Sequence, residues 1–317
     1  MNRRAVIPQT EKKSFGRILS DMRRDYWLYL MLVPGILYIA IFKYAPMYGV
    51  LISFKDYNIF RGFSGSAWVG FGIYDKLFNM GAFRQAFINN VIIGVSKLLC
   101  GFPTPIILSL MINEIRNSRG RKLIQTSVIL PHFISWIVIS GLLFSMFSLR
   151  SGAIPGIMRA LGVTNIPDIL ADKEHFRLVI LLSYLWKDGG YATIIYLSSI
   201  AGIDQNLYEA ASIDGAGRWK QLIHVTLASL MPIIAMLFII RVGSIMNAGF
   251  DQIFALSNPL VNSVSEVIST YVYKLGMESR KFSESTAAGL FESLIGLTFV
   301  LTTNAIAKKL DPESGIM

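Results

Sequence analysis

The chain has 317 residues, 53% of them hydrophobic and 16% charged, with a formal net charge of +10. With the apolar residues gathered in long blocks, this places it among helical membrane proteins. The basic residues flank those blocks as juxtamembrane anchors and no nucleic-acid motif accompanies them, so the charge implies lipid contact and excludes a nucleic-acid partner. A single cysteine, Cys100, excludes a disulfide framework and a thiol metal site. His132, His175 and His224 fall in separate regions without metal-ligand spacing, and neither a catalytic triad nor a Gly-x-x-x-x-Gly-Lys-Ser/Thr phosphate loop is present. No metal, cofactor or catalytic residue is expected.

In chain order, residues 1–26 form a basic cytoplasmic arm. It is either helical from Phe15 and laid on the anionic inner leaflet, or a disordered tail that sets topology. Six apolar spans follow, at 27–54, 85–113, 122–148, 176–200, 229–250 and 284–307. Each exceeds the ~20 residues that cross the hydrocarbon core. The first is followed by polar chain and has no small-residue cleavage site, so it reads as a span and not as a signal peptide. Pro34, Pro46, Pro103, Pro105, Pro131 and Pro232 lie inside spans, where they kink helices around a cavity or improve packing. The outer segment 55–84 carries Tyr57, Phe60, Phe63, Trp68, Phe71 and Tyr74, as interface anchors or as a docking surface for a binding protein. Short helices are expected near 154–161 and over 263–277. Lys and Arg concentrate in 1–26, 114–121, 201–228 and the tail, which puts both termini and the 201–228 loop in the cytoplasm.

Charges at membrane depth are expensive and mark functional candidates. Lys187-Asp188-Gly189-Gly190 interrupts the fourth span, with Trp186 and Tyr191 beside it. Adjacent helical residues do not face each other, so pairing of Lys187 with Asp188 calls for local unwinding, which the glycines ease. These residues form either a polar-aromatic surface on a translocation path or a neutralised pair that gates or stabilises the bundle. Arg241, Asn247 and Asp251 make a polar stripe along the fifth span, and Glu292 in the sixth is placed to pair with Arg241. Lys43 and Tyr44 snorkel to the outer interface.

The 201–228 loop is the most informative segment. Asp204 is an N-cap, 205–213 are good helix formers, and Asp214-Gly215 is a stop. A second amphipathic helix starts near Arg218, with Trp219, Leu222 and Ile223 on one face, so that two helices joined by a bend lie across the membrane surface. Ala210 and Ala211 leave a thin helix wall able to enter a cleft. Leu207, Tyr208 and Trp219 offer apolar contact, and Glu209 and Asp214 offer charge.

Glu209-Ala210-Ala211, with Gly215 at the right spacing and then Val225-Thr226-Leu227, closely resembles the Glu-Ala-Ala loop of bacterial ABC importer permeases. It departs from that pattern at Ala228, where proline is usual, at Val225 and at Leu222, which leaves the turn into the next span open. Phe42-Lys43-Tyr44-Ala45-Pro46-Met47-Tyr48-Gly49 and Ser53-Phe54-Lys55-Asp56-Tyr57-Asn58 resemble the carbohydrate branch, in its LplB-like oligosaccharide subgroup.

The resemblance implies an all-α membrane protein with the six-helix type I importer permease fold: an arm at 1–26, a permease domain at 27–308 and a tail at 309–317. It further implies a second homologous permease, an ATP-binding subunit dimer that holds ATP and Mg, and an extracellular solute-binding lipoprotein. A sugar is the implied cargo and the cytoplasmic membrane the implied location. Tyr208, Glu209, Ala210, Ala211, Asp214, Gly215 and Trp219 then carry ATPase coupling. Trp186, Lys187, Asp188, Tyr191, Arg241, Asn247, Asp251 and Glu292 are the candidates for the path. The alternatives are a permease for a non-sugar solute, an ion-coupled secondary transporter, and a non-transporting scaffold.

Overall fold

The computed structural model describes residues 24–310, so the arm as far as residue 23 and the tail from 311 lie outside the described residues. The chain divides into two units, 1–51 and 52–317. In the first, helix α1 (Tyr26–Ile39) runs through Pro34, widens into a π turn at Ala40–Tyr44, and tightens into a 3-10 helix that starts at Ala45 beside Pro46. Proline cannot donate to the turn before it, and a change of helical type within the next turns is one way to absorb that.

The second unit opens with a two-stranded antiparallel ribbon, β1 (Lys55–Asp56) and β2 (Ala67–Trp68), in register Lys55 to Trp68. Ser283 Oγ clamps the ribbon by donating to Lys55 O at 2.7 Å and accepting from Tyr57 N at 2.9 Å. Helix α2 (Gly72–Asn79) follows, and Lys76 donates to Glu284 at 2.8 Å, which holds the Lys76 ammonium above its ordinary pKa. Then come α3 (Gly81–Gly101), α4 (Pro103–Asn113), α5 (Ser118–Ile129) and α6 (Trp136–Phe147). A short α7 (Ala153–Ala160) stands where the sequence places it. Next are α8 (Lys173–Asp188), α9 (Thr193–Ala201), α10 (Gln205–Ile213) and α11 (Arg218–Gly243). After α12 (Phe250–Leu256), the helix expected over 263–277 is interrupted: Asn262–Ser265 is one turn, and α13 (Ile268–Tyr273) continues as a π turn to Glu278. The chain ends in α14 (Phe282–Leu310).

Among the described residues, four helices are long and apolar enough to cross a membrane: 26–54, 81–113, 218–243 and 282–309. The third expected span is a broken pair, 118–133 and 136–147, bent by 102° just after Pro131, and counting it brings the number to five. The fourth is split into α8 and α9 by a turn at 189–192. The fifth ends at Gly243, so the expected stripe of Arg241, Asn247 and Asp251 is corrected. Asn247 lies in a non-helical stretch where its side chain accepts from Gly249 N, and Asp251 sits in the first turn of α12.

Two cores hold the second unit. One gathers Ile73, Leu77, Phe83, Ala86, Met246, Ile268, Tyr271 and Ala287, and the other Ile93, Phe176, Ile180, Ala248, Ile253 and Leu256. Both lean on α3 and on the non-helical chain after α11. Helix α3 supplies side-chain partners to this stretch and to the chain that follows α12. Asn90 Nδ2 donates to Met246 O at 2.8 Å while its Oδ1 accepts from Ile268 N at 3.3 Å. Asn89 Nδ2 donates to Ser263 O and Glu266 O, at 3.1 and 3.0 Å. Gly94 lies against the Ile245 carbonyl, where a Cβ has no room.

Asn90→Ala leaves the Ile268 amide without a partner and Met246 O with Ala248 N alone, which costs about 1–3 kcal/mol. The expected result is a lowered thermal midpoint of the detergent-solubilised protein; an unchanged midpoint would show that 244–268 is held by packing alone.

Candidate functional site

The 201–228 loop folds as a knob. Asp204 caps α10 by accepting from Asn206 N at 3.0 Å. Gly215 stops it with φ of +75°, a conformation that glycine adopts freely. Ala216 N then donates to Ala211 O at 2.9 Å, closing the end of the helix. Two contacts lock the pair of helices: Tyr208 Oη bonds Thr226 Oγ1 at 2.8 Å, and Gln221 Nε2 donates to Ser212 Oγ and Ala216 O at 2.8 and 3.0 Å. Glu209, Ala210 and Asp214 are exposed, with Ala211 half-buried beside them. Ile213 and Trp219 project apolar surface at 87% and 72% exposure.

The second helix of the knob is not a separate element lying on the membrane surface, which corrects that expectation. It is the first turns of α11, which runs from Arg218 through a π turn at Leu222–Leu227 into the span. Ala228 explains the difference, because the position carries no proline to break the helix.

Three of the path candidates, Lys187, Asp188 and Tyr191, converge on a residue that the sequence reading set aside. His132 sits in the 3-10 turn at the 102° bend. Its Nδ1 bonds Asp188 Oδ1 at 2.9 Å, its carbonyl accepts from the buried Lys187 ammonium at 2.6 Å, and its ring stacks on Tyr191 at 4.0 Å. Lys187 Nζ also lies 3.7 Å from Asp188 Oδ1 although α8 is helical through both residues, which corrects the expected unwinding. They approach because both reach for His132. The unwinding comes after them, at Gly189 and Gly190. A Cβ on Gly190 would collide with the Val128 carbonyl, so glycine is required there for close approach to α5.

Two cavities meet at His132. The first, about 390 Å³, is lined by Tyr184, Asp188, Tyr191, Tyr196, Arg241 and neighbouring apolar residues, and the second, about 560 Å³, by Trp136, Lys187, Asp251 and Phe254 among others. Arg241 does not pair with Glu292, as was expected; it bonds the Tyr184 hydroxyl. Glu292 is half-buried on α14, and Glu292, Asn247 and the exposed Trp186 line neither cavity.

Lys97, Tyr184 and Gln252 were missed. Lys97 is 5% exposed and donates to Ala248 O at 2.6 Å and to Gln252 Oε1 at 2.5 Å, while Gln252 donates on to Ile180 O at 2.7 Å. The signal for Lys97 was present, since it is the one charge in 85–113 and the depth rule that flagged Lys187 applies equally.

The chain as a whole has counterparts among known proteins. The sequence profile of the binding-protein-dependent transport system inner membrane components matches residues 101–314. The chain belongs to that family. It is 41% identical to protein LplB of Bacillus subtilis (strain 168) over 295 residues, 93% of this chain and 92% of that one. It is 38% identical to the polygalacturonan/rhamnogalacturonan transport system permease protein YteP of the same organism over 309 residues, 98% and 95% of the two chains. Among solved structures, one chain of a bacterial ABC transporter involved in import of the acidic polysaccharide alginate superposes with a TM-score of 0.86 at 37% identity, covering 93% of this chain and 99% of that chain. A second structure of the alginate transporter, in complex with its periplasmic protein bound to an alginate pentasaccharide, gives 0.85 at 37% identity, over 93% and 98%. The fold is therefore the helical ABC permease fold, and the chain is an inner-membrane component of a transport system.

Tyr208→Phe removes the strut between α10 and the π turn, a loss of about 0.5–1.5 kcal/mol. Amides of 205–213 should exchange about tenfold faster with solvent while those of 228–243 keep their protection; equal acceleration in both stretches would mean that the knob does not move on its own.

Proposed function

We propose that the chain is one of two homologous permease subunits of an ATP-driven importer, passing an oligosaccharide or polysaccharide fragment from an extracellular binding protein across the cytoplasmic membrane. In this reading the segments 26–54, 81–113, 118–147, 173–201, 218–243 and 282–309 make six crossings, with both termini in the cytoplasm. Residues 27–308 form the permease domain, and the arm and tail flank it. The chain is not an enzyme: ATP and Mg belong to a separate ATP-binding dimer. The substrates of its relatives, polygalacturonan and rhamnogalacturonan for YteP and alginate for the structural neighbour, support a saccharide as cargo.

The observation that carries the reading is the continuity of α11. It begins at the exposed knob and ends at Arg241 in the wall of the first cavity. From Trp219 to Arg241 this is a rod of roughly 30 Å at 1.5 Å per residue. A push on Ile213 and Trp219 from an ATP-binding dimer moves the rod as a body, because Tyr208 and Gln221 tie the knob to it. At its far end the rod shifts Arg241 and Ser244 in the cavity wall, which alternates access. Glu209 and Asp214 meet basic groups on the dimer, while Ala210 and Ala211 let the helix enter its cleft.

Proline at 215 cannot adopt the observed positive φ. In the reconstituted importer, Gly215→Pro and Glu209→Ala should insert normally and leave ATP hydrolysis measurable, with sugar uptake per ATP down by about tenfold or more, the size of a lost charge-assisted contact. Normal uptake by both variants would overturn the coupling assignment.

A further inference from the structure

The geometry points to a carboxylated saccharide, an oligosaccharide carrying uronate groups, as the cargo of the first cavity, with Arg241 receiving its carboxylate. The inference rests on the importer reading above and narrows it, since the relatives of this chain include transport proteins for lactose and arabinooligosaccharides.

The observation is an imbalance of charge around one ring. Arg241 lies 5.4 Å from the centroid of Tyr184 and bonds its hydroxyl. Lys97 lies 4.9 Å from the same centroid. The two cations thus flank one neutral aromatic ring, and among the described residues neither forms an ion pair with a carboxylate. The Lys97 ammonium is answered by neutral acceptors, the Ala248 carbonyl and the Gln252 amide oxygen. Asp188, the carboxylate that shares the cavity with Arg241, is already engaged by His132 Nδ1 at 2.9 Å and lies 3.7 Å from Lys187 Nζ. Glu292 forms no ion pair with Arg241. Positive charge at membrane depth is costly, and an unanswered cation facing a cavity is the feature that a permeating anion would neutralise.

The chemistry of the wall fits a sugar acid better than an inorganic anion. Tyr184 fixes one edge of the guanidinium, which leaves other N–H donors in the planar fork that suits a carboxylate. Tyr191, exposed in the same wall, supplies its hydroxyl and the ring face not stacked on His132 for the pyranose. A neutral sugar would satisfy the ring and leave the guanidinium unanswered, so acid and neutral cargo differ at Arg241.

The test compares trigalacturonate with its fully methyl-esterified form, which has the same size and no charge. Binding of each to the purified importer complex, without its binding protein, is measured by calorimetry at low and high salt. The acid should bind about tenfold more tightly than the ester, as expected for one charge-assisted bidentate contact, with a gap that shrinks as salt rises. Arg241→Gln should close the gap to less than about threefold, and Arg241→Lys, which keeps the charge without the fork, should close it partly. Equal binding of acid and ester by the wild-type complex overturns the inference, as it would if a carboxylate of the second permease already occupied Arg241. So does failure to bind either form, and so does a gap that survives Arg241→Gln. The importer reading is judged separately, by ATP-driven uptake in the presence of loaded binding protein. Uptake without a preference for acid sinks the charge inference alone, whereas absence of any coupled uptake sinks the reading beneath it.

Discussion

Unpaired backbone in a membrane must find a partner within the protein, and this constraint organises the second unit of the chain. Its helices break at the bend after Pro131, at the turn at 189–192 and at the non-helical stretch that follows Gly243, among other places. Long polar side chains from neighbouring helices answer carbonyls at or beside these breaks. Lys187 reaches the carbonyl of His132, Lys97 that of Ala248, and Asn90 that of Met246. A buried amide or ammonium would be a liability in an unbroken bundle. Here each is a donor placed where the helical ladder has run out.

The cavities follow from the same breaks. An unbroken pair of spans packs side chain to side chain and leaves little room, whereas a bend of 102° opens space on its concave side. His132 stands at that bend as the shared wall of the two cavities, held from three directions by Asp188, Lys187 and Tyr191. Lys187 and Asp188 thus both brace the bend and line the space, whereas Lys97 and Asn90 brace a break without lining either cavity.

The knob was legible in the sequence because its signals are local. An Asp cap, a run of helix formers and a glycine stop act within a few residues, and the structure places them as expected. Lys187, Asp188 and Tyr191 were legible as a group because they are adjacent in the chain. What the sequence could not show was their common partner. His132 lies 56 residues from Asp188, and its role depends on the bend that brings it there. The expected pair of Arg241 and Glu292 failed for a related reason: opposite charges in facing spans suggest pairing, but helix phase decided in favour of Tyr184. Lys97 was overlooked although the depth rule covers it, since a lone lysine with no neighbouring charge looks like an isolated exception.

The π turn at Leu222–Leu227 sets the rotational phase of everything after it. A π turn is an α-helix that has accommodated one extra residue, so loss of one residue inside 222–227 lets the backbone revert to α geometry with both flanks still aligned. Loss of one residue elsewhere in α11 turns the downstream half by about 100° and carries Arg241 away from its cavity. Length variation among chains built this way is thus permitted at one place along the rod, and the knob can change its spacing there without re-aiming the far end.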